Sequence, residues 1–136
     1  MSYLLDTNVI SETIKSRPST NLINWLEQVP IDNLFISVLT VGEIRKGIEQ
    51  LSNLKKKGEL IVWLENDLRN WFGQRVLTID SSVAEKWGFV CGSTSRSLSA
   101  IDALIAATAL THNLKLVTRN IKDFSEVQDL ELINPF

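Results

Sequence analysis

The sequence is poor in the side chains that most often serve as nucleophiles, soft metal ligands or crosslinks. Its 136 residues include one cysteine, Cys91, and one histidine, His112. A single cysteine excludes an intrachain disulfide, which fits a reducing cytoplasmic setting. Cys91 follows Trp87 and Phe89 in a helical run, so we predict that it is a small buried core residue. The scarcity of His and Cys also argues against a zinc site built from several such ligands.

Long apolar runs and an excess of positive charge are missing too. No apolar stretch approaches the ~20 residues that span a bilayer. The first apolar run is short and lacks a basic leader, so we expect neither a membrane segment nor a signal peptide. The formal net charge of −2 does not by itself indicate nucleic-acid binding, although bound cations can supply positive charge. With 44% hydrophobic and 22% charged residues, the chain suits one domain over residues 1–136.

Short apolar runs alternate with helical patterns along the chain. The predicted strands are residues 2–5, 34–37, 75–79, 115–117 and 130–133. The predicted helices include residues 9–14, 21–28, 59–72, 82–90 and 100–110, with another that begins near Thr40. This alternation predicts an α/β domain around a mainly parallel sheet of about five strands.

Local signals mark several helix ends. Thr40 and Glu43 fit a capping box at the start of the helix after the second strand. Ser99 precedes another helix as a cap, and Gly73 is a typical residue at the end of a helix. The basic run 55–57 predicts a solvated turn.

Four acids lie at the ends of predicted strands or in the first turns of predicted helices. Asp6 ends the first strand, and Asp123 follows the fourth. Glu43 and Asp102 are expected in the first turns of their helices. Capping explains each acid taken alone. Ligands of open parallel sheets, however, bind beyond the carboxyl ends of the strands, so all four acids are expected at one edge.

Carboxylates gathered in one place repel one another, and divalent cations relieve that repulsion. An oxygen-only ligand set indicates one or two Mg²⁺ ions, with Mn²⁺ as the alternative. Such cations can bind a phosphodiester and activate a water, so no protein nucleophile is needed. Arg45 and Lys46 are explained equally well as phosphate contacts and as solvated surface. The residues that could orient water or contact substrate are Thr7, Asn8, Thr118, Arg119 and Asn120.

Five segments spread across nearly the whole chain form one ordered set of motifs. They are YLLDTNVISE, ISVLTVGEIRKGIEQL, LSAIDALIAATAL, KLVTRNIKDF and LINPF. Their order and spacing are far more specific than a lone DTN. The segments resemble those of the PIN-domain ribonucleases, and within that family the VapC-type toxins of toxin–antitoxin pairs, including the FitB-like branch.

The resemblance implies a three-layer α/β/α domain that cleaves RNA with Mg²⁺ or Mn²⁺. It implies catalytic and metal-binding roles for Asp6, Glu43 and Asp102. Many relatives carry the fourth acid at the position of Asn120. Other relatives share the TRNxxDF form seen here, in which the fourth acid corresponds to Asp123. We therefore assign Asp123 as the fourth acid and expect Asn120 to support the site without binding the metal.

The resemblance also implies partners. They are RNA as substrate, a cognate VapB-like, DNA-binding antitoxin that blocks the site, and a homodimer or a toxin–antitoxin hetero-oligomer. The apolar stripe in the 59–72 helix is explained first by the core and second by such a partner groove. The RNA target stays open between transfer, ribosomal and messenger RNA.

Two other functions are weighed against the ribonuclease. A phosphatase with Asp6 as nucleophile would need a second Asp two residues further on, and that position holds Asn8. A binding module that kept the fold and lost the activity would not need Asp6, Glu43 and Asp102 together. A test for Mn²⁺ binding separates this alternative from an enzyme.

Overall fold

A five-stranded parallel sheet forms the centre of the fold. The computed structural model describes residues 1–95 and 97–136. The strand order is β3-β2-β1-β4-β5, and every neighbouring pair is parallel. The strands are β1 (Tyr3–Leu5), β2 (Leu34–Ser37), β3 (Val76–Leu77), β4 (Lys115–Val117) and β5 (Leu132–Ile133). The predicted parallel α/β sheet is therefore confirmed. The edge strands β3 and β5, which pair on one side only, are shorter than predicted.

Helices cover both faces of this sheet. They are α1 (Thr7–Thr13), α2 (Thr20–Gln28), α3 (Val38–Glu49), α4 (Leu54–Val62), α5 (Arg69–Phe72), α6 (Ser81–Ser93), α7 (Ala100–Thr111) and α8 (Ile121–Phe124). A 3₁₀ turn spans Ile31–Asn33, and a π-helical segment, Trp63–Leu68, joins α4 to α5. Among the described residues, no helix is long and apolar enough to cross a membrane.

Two separate apolar cores produce the three layers. Successive strand residues point to opposite faces, so Leu4 and Leu5 enter different cores, and both are fully buried. The Leu5 core packs against α1 to α5, and the Leu4 core packs against α6 to α8. Burial of each leucine contributes about 1.5–3 kcal/mol. The α/β/α arrangement is thus confirmed, and β1 is fixed on both faces just before Asp6.

Two helices begin earlier than the sequence suggested, and both starts lie at the carboxyl edge of the sheet. Asp6 is the N-cap of α1, so Thr7 and Asn8 belong to the first helical turn rather than to a loop. Ser37 caps α3 through a 3.0 Å bond from the Leu39 backbone N–H to its Oγ. The predicted Thr40–Glu43 capping box is therefore wrong, because the last residue of β2 already caps the helix.

The segment that follows α3 also differs from the prediction. Lys55–Lys57 lie inside α4, which begins after the Asn53 cap, and do not form a turn. The helical run then continues to Phe72, and Gly73 ends it with a positive φ of 55°, as predicted. Leu64 and Phe72 are buried, so the apolar stripe of this run serves the core.

The prediction for the single cysteine is wrong. Cys91 is exposed, as are Trp87 (39% exposed) and Phe89 (47% exposed) on the same helix, α6. The buried residues of α6 are Val83 and Val90 instead. Apolar residues lie on more than one side of α6, so its sequence pattern is compatible with more than one buried face. For this reason the burial of Cys91 was predicted wrongly.

Candidate active site

Asp6 lies at the point where β1 becomes α1. Its backbone N–H donates to the Val117 carbonyl at 2.9 Å, so the residue continues the pairing of β1 with β4. Its side chain is 6% exposed. One carboxylate oxygen, Oδ1, accepts from the Thr7 backbone N–H at 2.8 Å, and Oδ2 accepts from the Thr118 hydroxyl at 2.8 Å. Asn8 Nδ2 donates to Oδ2 as well, at 3.2 Å.

Asn8 connects the start of α1 to the residues that follow β4. Its Nδ2 donates to Thr118 Oγ1 at 3.2 Å, and its Oδ1 accepts from the Arg119 backbone N–H at 3.2 Å. The Asn120 backbone N–H donates to Thr118 Oγ1 at 3.0 Å. The residues predicted to surround Asp6 therefore form a continuous hydrogen-bonded network with it.

Glu43 approaches this corner from α3. Thr7 Oγ1 donates to Glu43 Oε1 at 2.6 Å and lies 3.1 Å from Thr40 Oγ1. The sequence predicted that Glu43 lies in the first turn of its helix. Because α3 begins at Val38, Glu43 lies in the second turn instead. The contact that joins Glu43 to the sheet edge is its hydrogen bond with Thr7, and Glu43 is not the capping-box partner of Thr40.

Asp102 and Asp123 belong to the helices on the other face of the sheet. Asp102 is in the first turn of α7, where its backbone N–H donates to the capping Ser99 Oγ at 3.1 Å. Asp123 is in the first turn of the short helix α8, which follows β4. Both residues are half-buried. The predicted Ser99 cap is confirmed.

The charges of neighbouring acids contribute to raised pKa values at Asp6 and Asp102. Burial raises the pKa of Asp6 above 3.8, bonds from Thr118 and the Thr7 N–H oppose this, and the charges of Asp102 and Glu43 raise it further. Burial also raises the pKa of Asp102, opposed by a bond with the Ser99 side chain. The charges of Asp123 and Glu43 then raise the Asp102 pKa again. Glu43 acts on both Asp6 and Asp102, which indicates that the carboxylates face a common region.

The donor chemistry of this region suits a hard divalent cation. All four acids supply oxygen only, and a cation would relieve the repulsion that contributes to the raised pKa values of Asp6 and Asp102. However, within residues 1–95 and 97–136 no three His, Cys, Asp or Glu side chains are arranged to hold a metal ion. The carboxylates would therefore have to move closer together to bind one.

The basic residues beside Glu43 differ from each other. Arg45 forms ion pairs with Glu49 at 2.9 Å and Glu65 at 3.7 Å, which fits the solvated-surface explanation. Lys46 instead lines a cavity of about 370 Å³ together with Glu43 and other residues, among them Ile101 of α7. Of the two cations, Lys46 is therefore the better placed to contact a substrate.

One buried acid, Glu12, was not among the residues predicted to matter for the site. Glu12 of α1 is 5% exposed and accepts from Arg119 Nη2 at 3.0 Å. A charged residue within the apolar pattern of α1, close behind Asp6, was the available signal. Its partner lies 107 residues away, so no local pattern could show the pairing.

The fold and this acidic edge define a class: an α/β domain whose carboxylates lie beyond the ends of parallel strands. The PIN domain matches residues 3–130, so the chain belongs to the PIN domain family. It is 35% identical to Toxin FitB of Neisseria gonorrhoeae, with 98% of this chain and 97% of that protein covered. It is 32% identical to VapC ribonuclease Y4jK of Sinorhizobium fredii, with 98% and 96% covered.

Solved structures show the same likeness. FitAB bound to the IR36 DNA fragment matches with a TM-score of 0.91 and 33% identity, covering 98% of this chain and 94% of that chain. A toxin–antitoxin complex from Klebsiella pneumoniae matches with a TM-score of 0.73 and 27% identity, covering 99% and 98%. The prediction of a PIN-domain resemblance is confirmed.

Proposed function

We propose that this protein is a metal-dependent endoribonuclease and the toxin of a toxin–antitoxin pair, built as a single PIN domain over residues 1–136. The observation that supports it most is that Glu43 lies close enough to raise the pKa of both Asp6 and Asp102, to which Asp102 and Asp123 add their own charges in turn. The names of the relatives, a toxin and a VapC ribonuclease, support the same function.

In this proposal Asp6, Glu43, Asp102 and Asp123 hold one or two Mg²⁺ or Mn²⁺ ions. When bound, such ions activate a water and stabilise charge on a phosphodiester. The protein's own part is to keep the carboxylates ionised and oriented. Thr7 orients Glu43, and the remaining neighbours, Asn8, Thr118, Arg119 and Asn120, orient Asp6 or contact the RNA backbone.

The proposed partners follow from the solved neighbours. A VapB-like antitoxin that binds DNA is expected to cover the acidic edge. The toxin–antitoxin complex of Klebsiella and the DNA-bound FitAB assembly support a partner of this kind. A homodimer of the toxin, or a hetero-oligomer with the antitoxin, completes the proposed assembly, which would act in the cytoplasm.

The experiment is cleavage of structured RNA by wild type, Asp6→Asn and Asp102→Asn, with Mg²⁺ or Mn²⁺ and with EDTA. Asp67→Asn is the matched control, since Asp67 is an exposed acid in the π-helical segment. We expect both site variants to lose at least about a thousandfold in kcat/KM, because the ions would lose a ligand. The control should keep full activity.

Equal cleavage by wild type and both site variants would show that these acids are not the site. Cleavage that persists in EDTA would exclude the metal-dependent mechanism. Calorimetry with Mn²⁺ gives a separate result, since a pure binding module that had lost its metal site would show no heat of binding.

A further inference from the structure

Glu12 is a buried anion that the proposed reaction does not use. Its Oε1 accepts from Lys15 Nζ at 2.8 Å and from Arg119 Nη2 at 3.0 Å, and its Oε2 accepts from the Ser19 backbone N–H at 2.9 Å. The bond from Lys15, followed by those from Ser19 and Arg119, lowers the pKa of Glu12 despite its burial. Glu12 is therefore ionised at neutral pH.

Arg119 is held from three sides. Its guanidinium carbon lies 4.1 Å from the centre of the Phe136 ring, a cation–π contact. Nη2 is bonded to Glu12, and the backbone N–H is bonded to Asn8 Oδ1. The side chain is nevertheless 47% exposed. Within residues 1–95 and 97–136, the other guanidinium N–H groups have no hydrogen-bond partner.

Phe136 is held by its backbone, and its side chain packs against the core that contains Leu5. Asn134 Oδ1 accepts from the Phe136 backbone N–H at 3.0 Å, and Asn21 Nδ2 donates to the Phe136 carbonyl at 3.2 Å. Arg119 thus has an anion at one edge and a packed ring under its face. Holding a long side chain in one place in advance reduces the entropy that is lost when it binds a ligand.

The backbone of Arg119 lies next to the acidic edge. Its backbone is one hydrogen bond from Asn8, and Asn8 in turn donates to Asp6. A partly exposed guanidinium with unused donors beside a phosphodiester-cleaving site is suited to a phosphate oxygen. Because the site is rich in acids that repel an anionic substrate, a positive charge beside it would help to bind the phosphate.

We propose that Glu12 is a positioning residue that holds the Arg119 guanidinium ready to bind a phosphate of the RNA backbone beside Asp6. This inference rests on the proposed ribonuclease function. The opposite view is that Glu12 neutralises Arg119 and competes with RNA for it. The two views predict effects of opposite sign when Glu12 loses its charge.

The test measures affinity for a short labelled single-stranded RNA in EDTA, and KM and kcat for cleavage with Mn²⁺. The variants are Glu12→Gln, Arg119→Ala and Phe136→Leu. Glu131→Gln is the matched control, since it makes the same change at an exposed glutamate paired with Lys115 at 3.1 Å. Thermal melting of each variant checks that the chain is folded.

We expect Arg119→Ala to weaken RNA binding about tenfold and to reduce the slope of log affinity against log salt by about 0.7, the value for one phosphate contact. Glu12→Gln should weaken binding about fivefold, from the lost positioning of a mobile side chain. It should raise KM and leave kcat nearly unchanged, which a merely structural role beside Asp6 would not do. Phe136→Leu should weaken binding about threefold.

Tighter or unchanged RNA binding by Glu12→Gln would overturn the proposal. A decrease in RNA affinity no larger than that of the control variant Glu131→Gln would overturn it too. Should Glu12→Gln fail to fold, Phe136→Leu decides instead, and unchanged binding by that variant overturns the proposal. Wild type that neither binds nor cleaves RNA would refute the ribonuclease function itself. Wild type that cleaves normally, with KM unchanged in Glu12→Gln, would refute only the role of Glu12.

Discussion

Asp6 and Asp102 both lie at the start of a helix at the carboxyl edge of the sheet, yet their surroundings differ. Asp6 is buried and accepts hydrogen bonds from Thr7, Asn8 and Thr118. Asp102 is half-buried, and the side chain that lowers its pKa is that of Ser99, within the same helix end. One carboxylate joins β1, α1 and β4, whereas the other is bonded within its own local turn.

This difference separates two roles that one acidic residue can have. Asp6 contributes to the fold because three elements meet at its side chain, and it also faces the site. Asp102 faces the site while contributing little to the fold beyond the helix cap. The raised pKa values of both acids indicate that neither charge is placed there for stability.

The largest expected contrast is in stability after truncation of each acid. Asp6→Ala should lower the free energy of unfolding by about 3 kcal/mol, because it removes an N-cap and leaves the buried Thr118 hydroxyl without its acceptor. Asp102→Ala should lower it by less than about 1 kcal/mol. Urea unfolding of both variants measures the two losses, and equal losses would remove the distinction between the two acids.

The sequence was sufficient for the parts of this region that depend on local pattern. The strands that end at Leu5 and Val117, the Ser99 cap, and the positions of Asp6 at a strand end and Asp102 in a first helical turn could all be predicted from apolar runs and capping residues. It was insufficient where the outcome depends on contacts between distant residues. The Thr40–Glu43 pattern looked like a cap, but Thr40 contacts Thr7 on another helix. Ser37 caps α3 because the strand passes into the helix without a loop.

The parts that could not be predicted share a physical cause. Glu12 and Arg119 pair only because the sheet order places α1 next to the end of β4. Cys91 was misplaced because α6 has apolar residues on more than one face, and only packing against α7 decides which are buried. In each case the local sequence pattern is compatible with more than one arrangement, and contacts between distant residues determine which one forms.

A smaller effect is expected from the hydroxyl that supports Asp6. Thr118→Val keeps the shape of a fully buried side chain but removes the donor to Asp6 and the acceptor for the Asn120 N–H. The free energy of unfolding should fall by about 2 kcal/mol. The variant should also raise the Asp6 pKa further, because the Thr118 bond lowers it. Carboxyl carbon chemical shifts followed against pH measure this change.

Thr108→Val is the matched control for that variant. Thr108 is also fully buried, and its hydroxyl donates to the Leu104 carbonyl within α7 at 2.7 Å. Such a bond within a helix adds little, since the helix remains satisfied without it, so the loss should stay below about 0.5 kcal/mol. Similar losses for the two variants would mean that the network around Asp6 is no more than ordinary packing.

The smallest expected effect is the pH dependence of stability at Asp102. Its folded pKa is raised above the ordinary 3.8, so ionisation is harder in the folded state than in the unfolded chain. Stability from this group is therefore fully present below pH 3.8 and is lost as the pH rises through the folded pKa. Asp102→Asn does not lose stability in this way, because asparagine does not ionise. The stability of the variant relative to wild type, measured without metal, should rise over that window by a fraction of a kcal/mol and then level off.

The same variant also reports on Asp6, because the Asp102 charge is one cause of the raised Asp6 pKa. In Asp102→Asn the pKa of Asp6 should fall towards its ordinary value, although burial keeps it raised. Asn substitution at Asp67, an exposed acid, should change neither the stability difference nor the Asp6 titration. An Asp6 titration that is identical in wild type and Asp102→Asn would mean that the two carboxylates do not face a common region. The shared acidic site would then have to be abandoned, although the structural role of Asp6 would remain.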